Sequence, residues 1–340
     1  MPDSNVINIA VVGCGYWGPN ILRNLAAQKS TNINWICDLQ IARAELIATN
    51  YSSAKVTNNI GDLLADSSLD AVVIATPVSS HYSIARKFLL AGKHVLVEKP
   101  MCTSVEECDE LIEIASQKNV VLMVDHTFIY TGGVRKMKDM VAAGELGDIY
   151  YFDSVRVNLG LFQHDVNVLW DLAPHDLSIM DYVLQRKPTG VSAHGACHLA
   201  GSKIENIAYL TLLFEDDTIA HFHVNWLAPA KIRRILIGGS KKMLLFDDLS
   251  PDEKIKVYDK GLVLDNKTDS YQVLSGYRIG DIHVPKLDTR EALSLEMEHF
   301  VDCIRTNKHP ESDGDSGRRV VATLEAAQKS LARNGELIPL

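Results

Sequence analysis

The first residues whose types and spacing indicate a chemical role form a glycine motif, Gly13-Cys14-Gly15-Tyr16-Trp17-Gly18. In such a motif the first glycine permits a tight turn, the second lets the backbone approach a pyrophosphate, and the third lets a helix pack close to a strand. Asp38 follows about twenty residues after the last glycine, where a carboxylate accepts hydrogen bonds from ribose hydroxyls. A glycine-rich surface turn is the alternative, but it does not account for Asp38. The spacing predicts a dinucleotide site.

Asp38 also bears on which dinucleotide binds. A carboxylate at this position repels the 2′-phosphate of NADP, and NADP sites usually place an arginine nearby. Leu39 and Gln40 follow Asp38, and the first arginine, Arg43, lies one turn into the next predicted helix. The sequence therefore favours NAD over NADP.

Two further motifs end predicted strands. Thr76-Pro77, with His81 shortly after it, lies at the carboxyl end of an apolar strand, where open α/β sheets bind ligands. A plain strand-to-helix turn capped by Ser79 or Ser80 is the alternative, and both interpretations can hold together. Glu98-Lys99-Pro100 follows the next strand, which is an unusual place for a solvated charge pair. From its position alone, Lys99 is as much expected to face a ligand crevice as not.

Asp171 and His175 are four residues apart in a segment that predicts a helix beginning at Asp171. That spacing places both side chains on one helix face. A carboxylate beside an imidazole orients the ring and raises its pKa, which suits a proton-transfer pair. Alternatively, Asp171 caps the helix and His175 packs beneath it. The sequence weighs these two interpretations equally.

The elements that must position these residues change character along the chain. Apolar strands alternate with helical patterns as far as Val124, which predicts a doubly wound parallel sheet. After His126 strand-like runs follow one another without helices between them, which predicts a second, α+β domain with a mixed or antiparallel sheet. We therefore divide the chain at residues 1–126 and 127–340. The predicted later strands are 149–157, 191–197, 207–214, 218–226, 232–237, 242–246 and 255–258, and the predicted final helices are 290–306 and 315–334.

Composition excludes several classes of protein. A net charge of -9 argues against a non-specific nucleic-acid binder, which needs a basic face. No apolar run approaches the roughly twenty residues that span a bilayer, and no signal peptide is expected. Six scattered cysteines without a CxxC pair predict reduced, buried thiols in a cytoplasmic protein. His221 and His223 alternate along a predicted strand and lack a clustered third ligand, so we interpret them as structural and expect no metal site.

Together the glycine motif, Ala75-Thr76-Pro77 with His81, Glu98-Lys99-Pro100, and Asp171 with His175 resemble the glucose–fructose oxidoreductase / inositol dehydrogenase (Gfo/Idh/MocA) family over essentially the whole chain. The resemblance implies an N-terminal Rossmann domain and a C-terminal α/β domain whose large, open sheet often serves for oligomerisation. It also implies hydride transfer between NAD(P) and a sugar or cyclitol carbon. A homodimer or homotetramer formed through the C-terminal sheet is therefore expected.

The resemblance also implies roles for individual residues. Lys99 contacts the substrate hydroxyl and the nicotinamide, His175 is the general base, and Asp171 orients either His175 or the substrate. The implied cofactor-binding residues are Gly13, Gly15, Tyr16, Trp17, Gly18, Asp38, Thr76, Pro77, His81, Glu98 and Lys99. The implied substrate-binding residues are Lys99, Arg156, Asn167, Asp171 and His175.

Within the family, the C-terminal half looks more like bacterial nucleotide-sugar enzymes, including UDP-N-acetylglucosamine-type 3-dehydrogenases, than like inositol dehydrogenases. A cation such as Arg156 could then meet a diphosphate, although a solvated or inter-subunit charge is an equal alternative. A ketoreductase, an inositol or other polyol dehydrogenase, and a non-catalytic NAD(H)-sensing regulator are the competing functions. The presence of Lys99, Asp171 and His175 together argues against the regulator.

Overall fold

The computed structural model describes residues 6–160, 166–199, 201–262 and 277–340, which form two compact units. The first unit is Met1–Tyr130 with Arg290–Ala322, and the second is Thr131–Thr289 with Thr323–Leu340. Within the described ranges, none of the helices combines the length and the apolar character that crossing a bilayer requires.

The first unit is built on a six-stranded parallel sheet. Its strands are β1 (Ile7–Val12), β2 (Thr31–Cys37), β3 (Lys55–Thr57), β4 (Ala71–Ile74), β5 (His94–Glu98) and β6 (Leu122–Asp125), in the order β3-β2-β1-β4-β5-β6. Its intervening helices are α1 (Gly18–Ala26), α2 (Ile41–Ala48), α3 (Ile60–Ala65), α4 (His81–Leu90) and α5 (Val105–Lys118). The strand order reverses between β1 and β4, which is where doubly wound sheets bind ligands. The predicted Rossmann fold is confirmed.

Local sequence explains why these elements form. The residues of β4 are all buried and mostly β-branched, as expected for a central parallel strand. Helix α5 begins at Ser104, whose hydroxyl accepts a hydrogen bond from the Glu107 amide at 3.2 Å, and it ends at Asn119 in the left-handed region. The Glu107 carboxylate in turn accepts from the Thr103 amide at 3.0 Å.

The second unit is built on a nine-stranded mixed sheet. Its elements up to residue 283 are α6 (Gly132–Ala142), β7 (Ile149–Leu159), α7 (Val168–Leu184), β8 (Gly190–Ala196), β9 (Ile207–Leu213), β10 (Ile219–Asn225), β11 (Leu227–Gly239), β12 (Met243–Asp247), β13 (Ile255–Tyr258), β14 (Gly261–Leu262), β15 (Tyr277–Arg278) and β16 (Ile282–His283). Among the described strands of this nine-stranded sheet, only β7 and β10 pair in parallel. Helix α7 packs on β7, β9 and β10. The predicted mixed sheet is confirmed.

The chain ends with α8 (Ala292–Thr306), α9 (Gly314–Ala332) and β17 (Ile338–Pro339). Strand β17 pairs with β8, so the sheet order is β16-β13-β12-β11-β7-β10-β9-β8-β17. Helix α8 packs with α1 and with the 3-10 helix Thr127–Tyr130, because its buried face carries Leu293, Met297 and Phe300. Residues 290–322 therefore belong to the first unit, which differs from the single boundary after residue 126 that the strand pattern suggested.

Two other details differ from the sequence-based expectations. Strand β3 was not predicted, because three residues are too short for an alternating pattern to show. Helix α7 begins at Val168 and not at Asp171, because Asn167 supplies the cap: its side-chain oxygen accepts from the Trp170 amide at 3.2 Å. Pro174 consequently lies inside the helix, where it leaves the Trp170 carbonyl without its usual amide partner.

Candidate active site

The glycine loop between β1 and α1 has the geometry that the motif predicted. Gly13 has a φ of +102°, and a Cβ there would lie 2.3 Å from the Ala75 carbonyl oxygen. A Cβ on Gly18 would lie 2.3 Å from the Gly13 carbonyl oxygen, so the helix can approach the loop only with glycine present. A Cβ on Gly15 would meet nothing within 4 Å, which leaves that stretch of backbone open to a ligand.

Asp38 is held at the end of β2, next to this loop. Its carboxylate accepts hydrogen bonds from the amides of Cys14 at 2.7 Å and Gln40 at 2.8 Å. Burial and the nearby Asp38 charge raise the pKa of the Cys14 thiol to about 12, so the loop carries no thiolate that would repel phosphates. The carboxylate is thus fixed in place and keeps acceptor capacity for ribose hydroxyls.

The surroundings of the loop also fit a dinucleotide. Tyr16 is 81% exposed and Trp17 is 40% exposed, although both are large aromatic residues. Trp17 is the N-terminal cap of α1 and makes no side-chain capping bond, and no acidic residue lies in the first turn of that helix. The backbone amides in the first turn of α1 can therefore bind an anionic phosphate. These features fit NAD.

His81 connects the loops that follow β4 and β5. Its Nε2 lies 2.7 Å from the carbonyl oxygen of Thr76, and its Nδ1 lies 2.9 Å from that of Pro100. The ring is 1% exposed, and burial lowers its pKa. Thr76 and Pro77 lie at the predicted strand end. Both ring nitrogens of His81 face backbone carbonyls, and a role for His81 in cofactor binding stays a prediction. Ser80 is at the cap position of α4 but makes no side-chain capping bond.

Glu98 and Lys99 have different environments although they are neighbours. Glu98 is buried at the end of β5, whereas Lys99 is partly exposed and its backbone amide donates to Glu98 Oε2 at 3.2 Å. Burial, followed by the charge of Asp125, raises the pKa of Glu98 well above its usual range. The Glu98 side chain thus faces the protein interior, and a role for Glu98 in cofactor binding stays a prediction.

In the second unit, Asp171 and His175 lie one turn apart on α7, and both are partly exposed. The Asp171 carboxylate accepts a hydrogen bond from Trp226 Nε1 at 3.0 Å. Trp226 is 1% exposed and packs against Gly160, where a Cβ would lie 2.6 Å from its ring. The alternative in which Asp171 caps the helix is wrong, because Asn167 is the cap. A fixed carboxylate one turn from an imidazole is suited to proton transfer.

Two of the residues predicted to bind substrate make structural contacts. Arg156 is 4% exposed and forms a bidentate pair with Asp176 at 2.9 and 2.7 Å. Asn167 caps α7, and its amide nitrogen donates to Glu205 and Gln328, both at 2.9 Å. Its two N–H donors are thereby occupied. Burial and internal hydrogen bonds occupy the polar atoms of both side chains, and their contact with substrate stays a prediction.

Sequence reasoning also missed several residues. Trp226 had no motif to indicate that its indole would hold Asp171. Asp125 and Glu296, which face Glu98, come from distant parts of the chain, and Glu296 is 0% exposed. Burial lowers the pKa of His126 to about 3, so that ring is neutral. A charged residue in an otherwise apolar helix face, as for Glu296 in α8, was the signal that could have revealed one of them. The described residues contain no group of three or more side chains arranged to hold a metal ion.

Two family models match the chain. Residues 7–126 match a model described as an oxidoreductase family with an NAD-binding Rossmann fold. Residues 134–245 match one described as the GFO/IDH/MocA C-terminal domain. The two matches lie in the same order as the parallel sheet and the mixed sheet, and together they cover more than half of the chain.

Similar proteins include several dehydrogenases. A UDP-N-acetylglucosamine 3-dehydrogenase of Acidithiobacillus ferrooxidans is 27% identical over 92% of this chain and 93% of its own length. A scyllo-inositol 2-dehydrogenase (NAD(+)) of Bacillus subtilis is 25% identical over 89% of this chain and 88% of its own length. The crystal structure of the WlbA dehydrogenase from Bordetella pertussis, in complex with NADH and UDP-GlcNAcA, has the same fold: its TM-score is 0.84 at 21% identity, covering 100% of this chain and 99% of that one.

Proposed function

Because this chain belongs to the GFO/IDH/MocA oxidoreductase family, we propose that it transfers hydride between the C3 position of a nucleotide sugar and NAD. The family match makes the chain an oxidoreductase with an NAD-binding Rossmann domain. The observation that carries the proposal is the pair on α7, with Asp171 fixed by Trp226 one turn from His175. The similarity to a UDP-N-acetylglucosamine 3-dehydrogenase supports the choice of substrate class.

The proposal assigns the cofactor to the first unit. The loop of Gly13, Gly15 and Gly18 binds the pyrophosphate with the amides of α1, and Asp38 accepts from the ribose hydroxyls. Tyr16, Trp17, Thr76 and Pro77 complete the proposed set at the same sheet edge. When bound, NAD supplies the hydride acceptor, and the protein's contribution is to hold and orient it.

The other assigned residues, His175, Asp171 and Lys99, take part in proton transfer. Oxidation of a secondary alcohol releases a hydride from carbon and a proton from oxygen. We assign the proton to the imidazole of His175, the orientation of that ring or of the substrate to Asp171, and contact with the substrate hydroxyl to Lys99. Positioned acid–base groups of this kind typically contribute about a hundred- to ten-thousand-fold in rate.

A cyclitol dehydrogenase is the second candidate, because a scyllo-inositol 2-dehydrogenase is 25% identical over 89% of this chain. The same residues would serve either substrate, and they would serve the reverse reaction on a keto sugar. What separates the candidates is the need to bind a nucleotide diphosphate, which a cyclitol lacks.

The proposal extends to assembly and location. One face of the nine-stranded sheet carries partly exposed side chains, among which Tyr209 stacks on His223 with ring centroids 4.4 Å apart. We propose that two copies of the chain associate through this face as a homodimer or as half of a homotetramer. The cysteines are free, and five of the six are buried, which suits the reducing cytoplasm.

The test compares Lys99→Ala and His175→Ala with two matched exposed controls, Lys118→Ala and His198→Ala. We expect each site variant to lose turnover by at least about a hundredfold and to keep its NAD affinity, since neither side chain is assigned to the pyrophosphate or the ribose. The two control variants should retain both turnover and NAD affinity. Full activity in both site variants would contradict the assigned roles.

The substrate is identified by a thermal-shift screen of UDP-, GDP- and dTDP-sugars and scyllo-inositol in the presence of NAD. A ligand that binds only the folded protein raises its melting temperature by mass action. We expect stabilisation by a nucleotide sugar, and stabilisation by scyllo-inositol alone would favour the second candidate.

A further inference from the structure

Three carboxyl groups meet in the interior of the first unit. Glu98 and Asp125 end the adjacent parallel strands β5 and β6 and are register partners. Their residues are 8% and 3% exposed. The third group, Glu296, is 0% exposed and comes from α8, far away in the sequence. We call Glu98, Asp125 and Glu296 the carboxyl cluster.

Glu296 is directed at the pair on the strands. Asp125 lies close enough to Glu98 and Glu296 to add to the effect of burial, which raises the pKa of both carboxyl groups. Asp125 Oδ1 accepts from the Thr127 amide at 3.2 Å and from the Thr127 hydroxyl, whereas Asp125 Oδ2 and both oxygens of Glu296 make no hydrogen bond of good geometry in the part of the chain that the structure describes. A proton held between two neighbouring carboxyl groups would give such oxygens a donor. The geometry therefore favours protons held within the cluster.

The surrounding charges favour the same conclusion. Burial, then Asp125, raises the pKa values of Glu98 and Glu296 well above their usual range. Lys99 is the cation that opposes this for Glu98. The other titratable groups close to the cluster are neutral: burial lowers the pKa of His126 to about 3, and burial and Glu296 raise that of Tyr130. Three buried negative charges would each carry a desolvation cost of several kcal/mol.

We propose that Glu98, Asp125 and Glu296 share protons as one buried carboxylic-acid cluster in neutral solution, so that Glu98 positions Lys99 without neutralising its charge. In this arrangement, Glu98 and Glu296 each donate an O–H to an oxygen of Asp125. The Lys99 backbone amide donates to Glu98 Oε2 at 3.2 Å, which fixes the start of the loop after β5. The second half of the proposal rests on the proposed function of Lys99, whose positive charge is then available to an alkoxide that forms on the substrate.

The first test measures stability against pH for the wild type and Glu296→Gln, with Glu298→Gln as a control on the exposed side of the same helix. A carboxyl with a raised pKa in the folded protein makes the wild type less stable as pH rises from the unfolded value, near 4.5, towards the folded value. Glutamine keeps a donor for Asp125 but does not titrate. We expect the unfolding equilibrium constant of Glu296→Gln, relative to the wild type, to fall by about tenfold per pH unit above pH 5.

The control variant should follow the wild type at every pH. Parallel behaviour of Glu296→Gln and Glu298→Gln would overturn the proposal. If Glu296→Gln does not fold, infrared spectroscopy of the wild type decides: the carbonyl stretch of a protonated carboxylic acid, assigned by carbon-13 labelling of glutamate, is expected at neutral pH. Its absence would overturn the proposal.

The second test concerns Lys99 and needs no turnover. The acylation rate of Lys99 is measured by mass spectrometry in the wild type and in Glu98→Gln, normalised to Lys118. If Glu98 is neutral, removing its titratable oxygen leaves the rate within about twofold. If Glu98 were ionised, losing an adjacent anion would favour the nucleophilic amine by roughly tenfold, and that result would overturn the proposal. An enzyme inactive on every sugar tested would contradict the proposed function and leave both results intact.

Discussion

Replacing Arg156 or Asp176 singly should destabilise the second unit far more than replacing both. Their side chains are 4% and 3% exposed and share two hydrogen bonds of 2.9 and 2.7 Å. Removing one partner of a buried pair leaves an unpaired charge and costs about 3–5 kcal/mol, whereas replacing both with apolar residues of similar volume is often neutral or stabilising. Asp176→Leu should be the worse single change, because it leaves Arg156 beside a second cation: burial and then the charge of Arg156 lower the pKa of the Arg233 guanidinium.

The assay is denaturant unfolding of Arg156→Met, Asp176→Leu and the double variant, monitored by circular dichroism and by tryptophan fluorescence. Coincident transitions show whether one free energy describes the unfolding of two units. Arg86→Met is the matched control, since Arg86 forms a surface pair with Glu110 in which the side chains are 43% and 39% exposed. Because solvent screens that surface pair, replacing Arg86 should change the stability little.

The same variants decide between a structural Arg156 and one that binds a substrate diphosphate. If Arg156 is structural, the double variant regains stability and its KM for the substrate stays within about tenfold of the wild type. A single Arg156→Met that costs less than about 1 kcal/mol would refute the reasoning. If the double variant regains stability but loses much of its affinity for the substrate, Arg156 binds substrate.

Two shorter predictions concern residues that the sequence singled out. Asp38→Ala should weaken NAD binding by about tenfold or more and relax discrimination against NADP, as measured by titration calorimetry with both dinucleotides and with exposed Glu45→Ala as the control; a wild type that prefers NADP would contradict our interpretation of Asp38. Asn167→Ala should lower the free energy of unfolding by about 1–3 kcal/mol, because it removes the α7 cap and the amide group that donates to Glu205 and Gln328. Unchanged stability with a raised substrate KM would show that Asn167 binds substrate after all.

What could be predicted from the sequence was the part encoded in local patterns. The turn at Gly13, the acid after β2 and the alternation of strands and helices each depend on a few neighbouring residues, and the structure reproduces all three. The open mixed sheet followed from strands that lacked crossovers. These features were accessible because the physical constraint and the residues that meet it are adjacent in the chain.

What could not be predicted depends on partners distant in sequence. Arg156 looks like any cation until Asp176 is placed against it, and Asn167 looks like a substrate ligand until its cap and its two long-range acceptors are known. The start of α7 was placed three residues too late because Pro174 suggested a first turn, whereas the asparagine cap determined the boundary. Glu98 was expected to bind the cofactor, and its neighbours in the protein interior, Asp125 and Glu296, are known only once the strands and α8 are placed.

The contacts of His81 have a consequence for redesign of this protein. A neutral imidazole carries a single N–H, and burial keeps this ring neutral, so at any moment it can donate to only one of the two backbone carbonyls that it meets, those of Thr76 and Pro100. The tautomer of His81 therefore depends on the loop after β4 and on the loop after β5. A change to the loop after β4 that is meant to alter cofactor preference will also disturb the loop that carries Lys99. The two loops therefore have to be replaced together with His81.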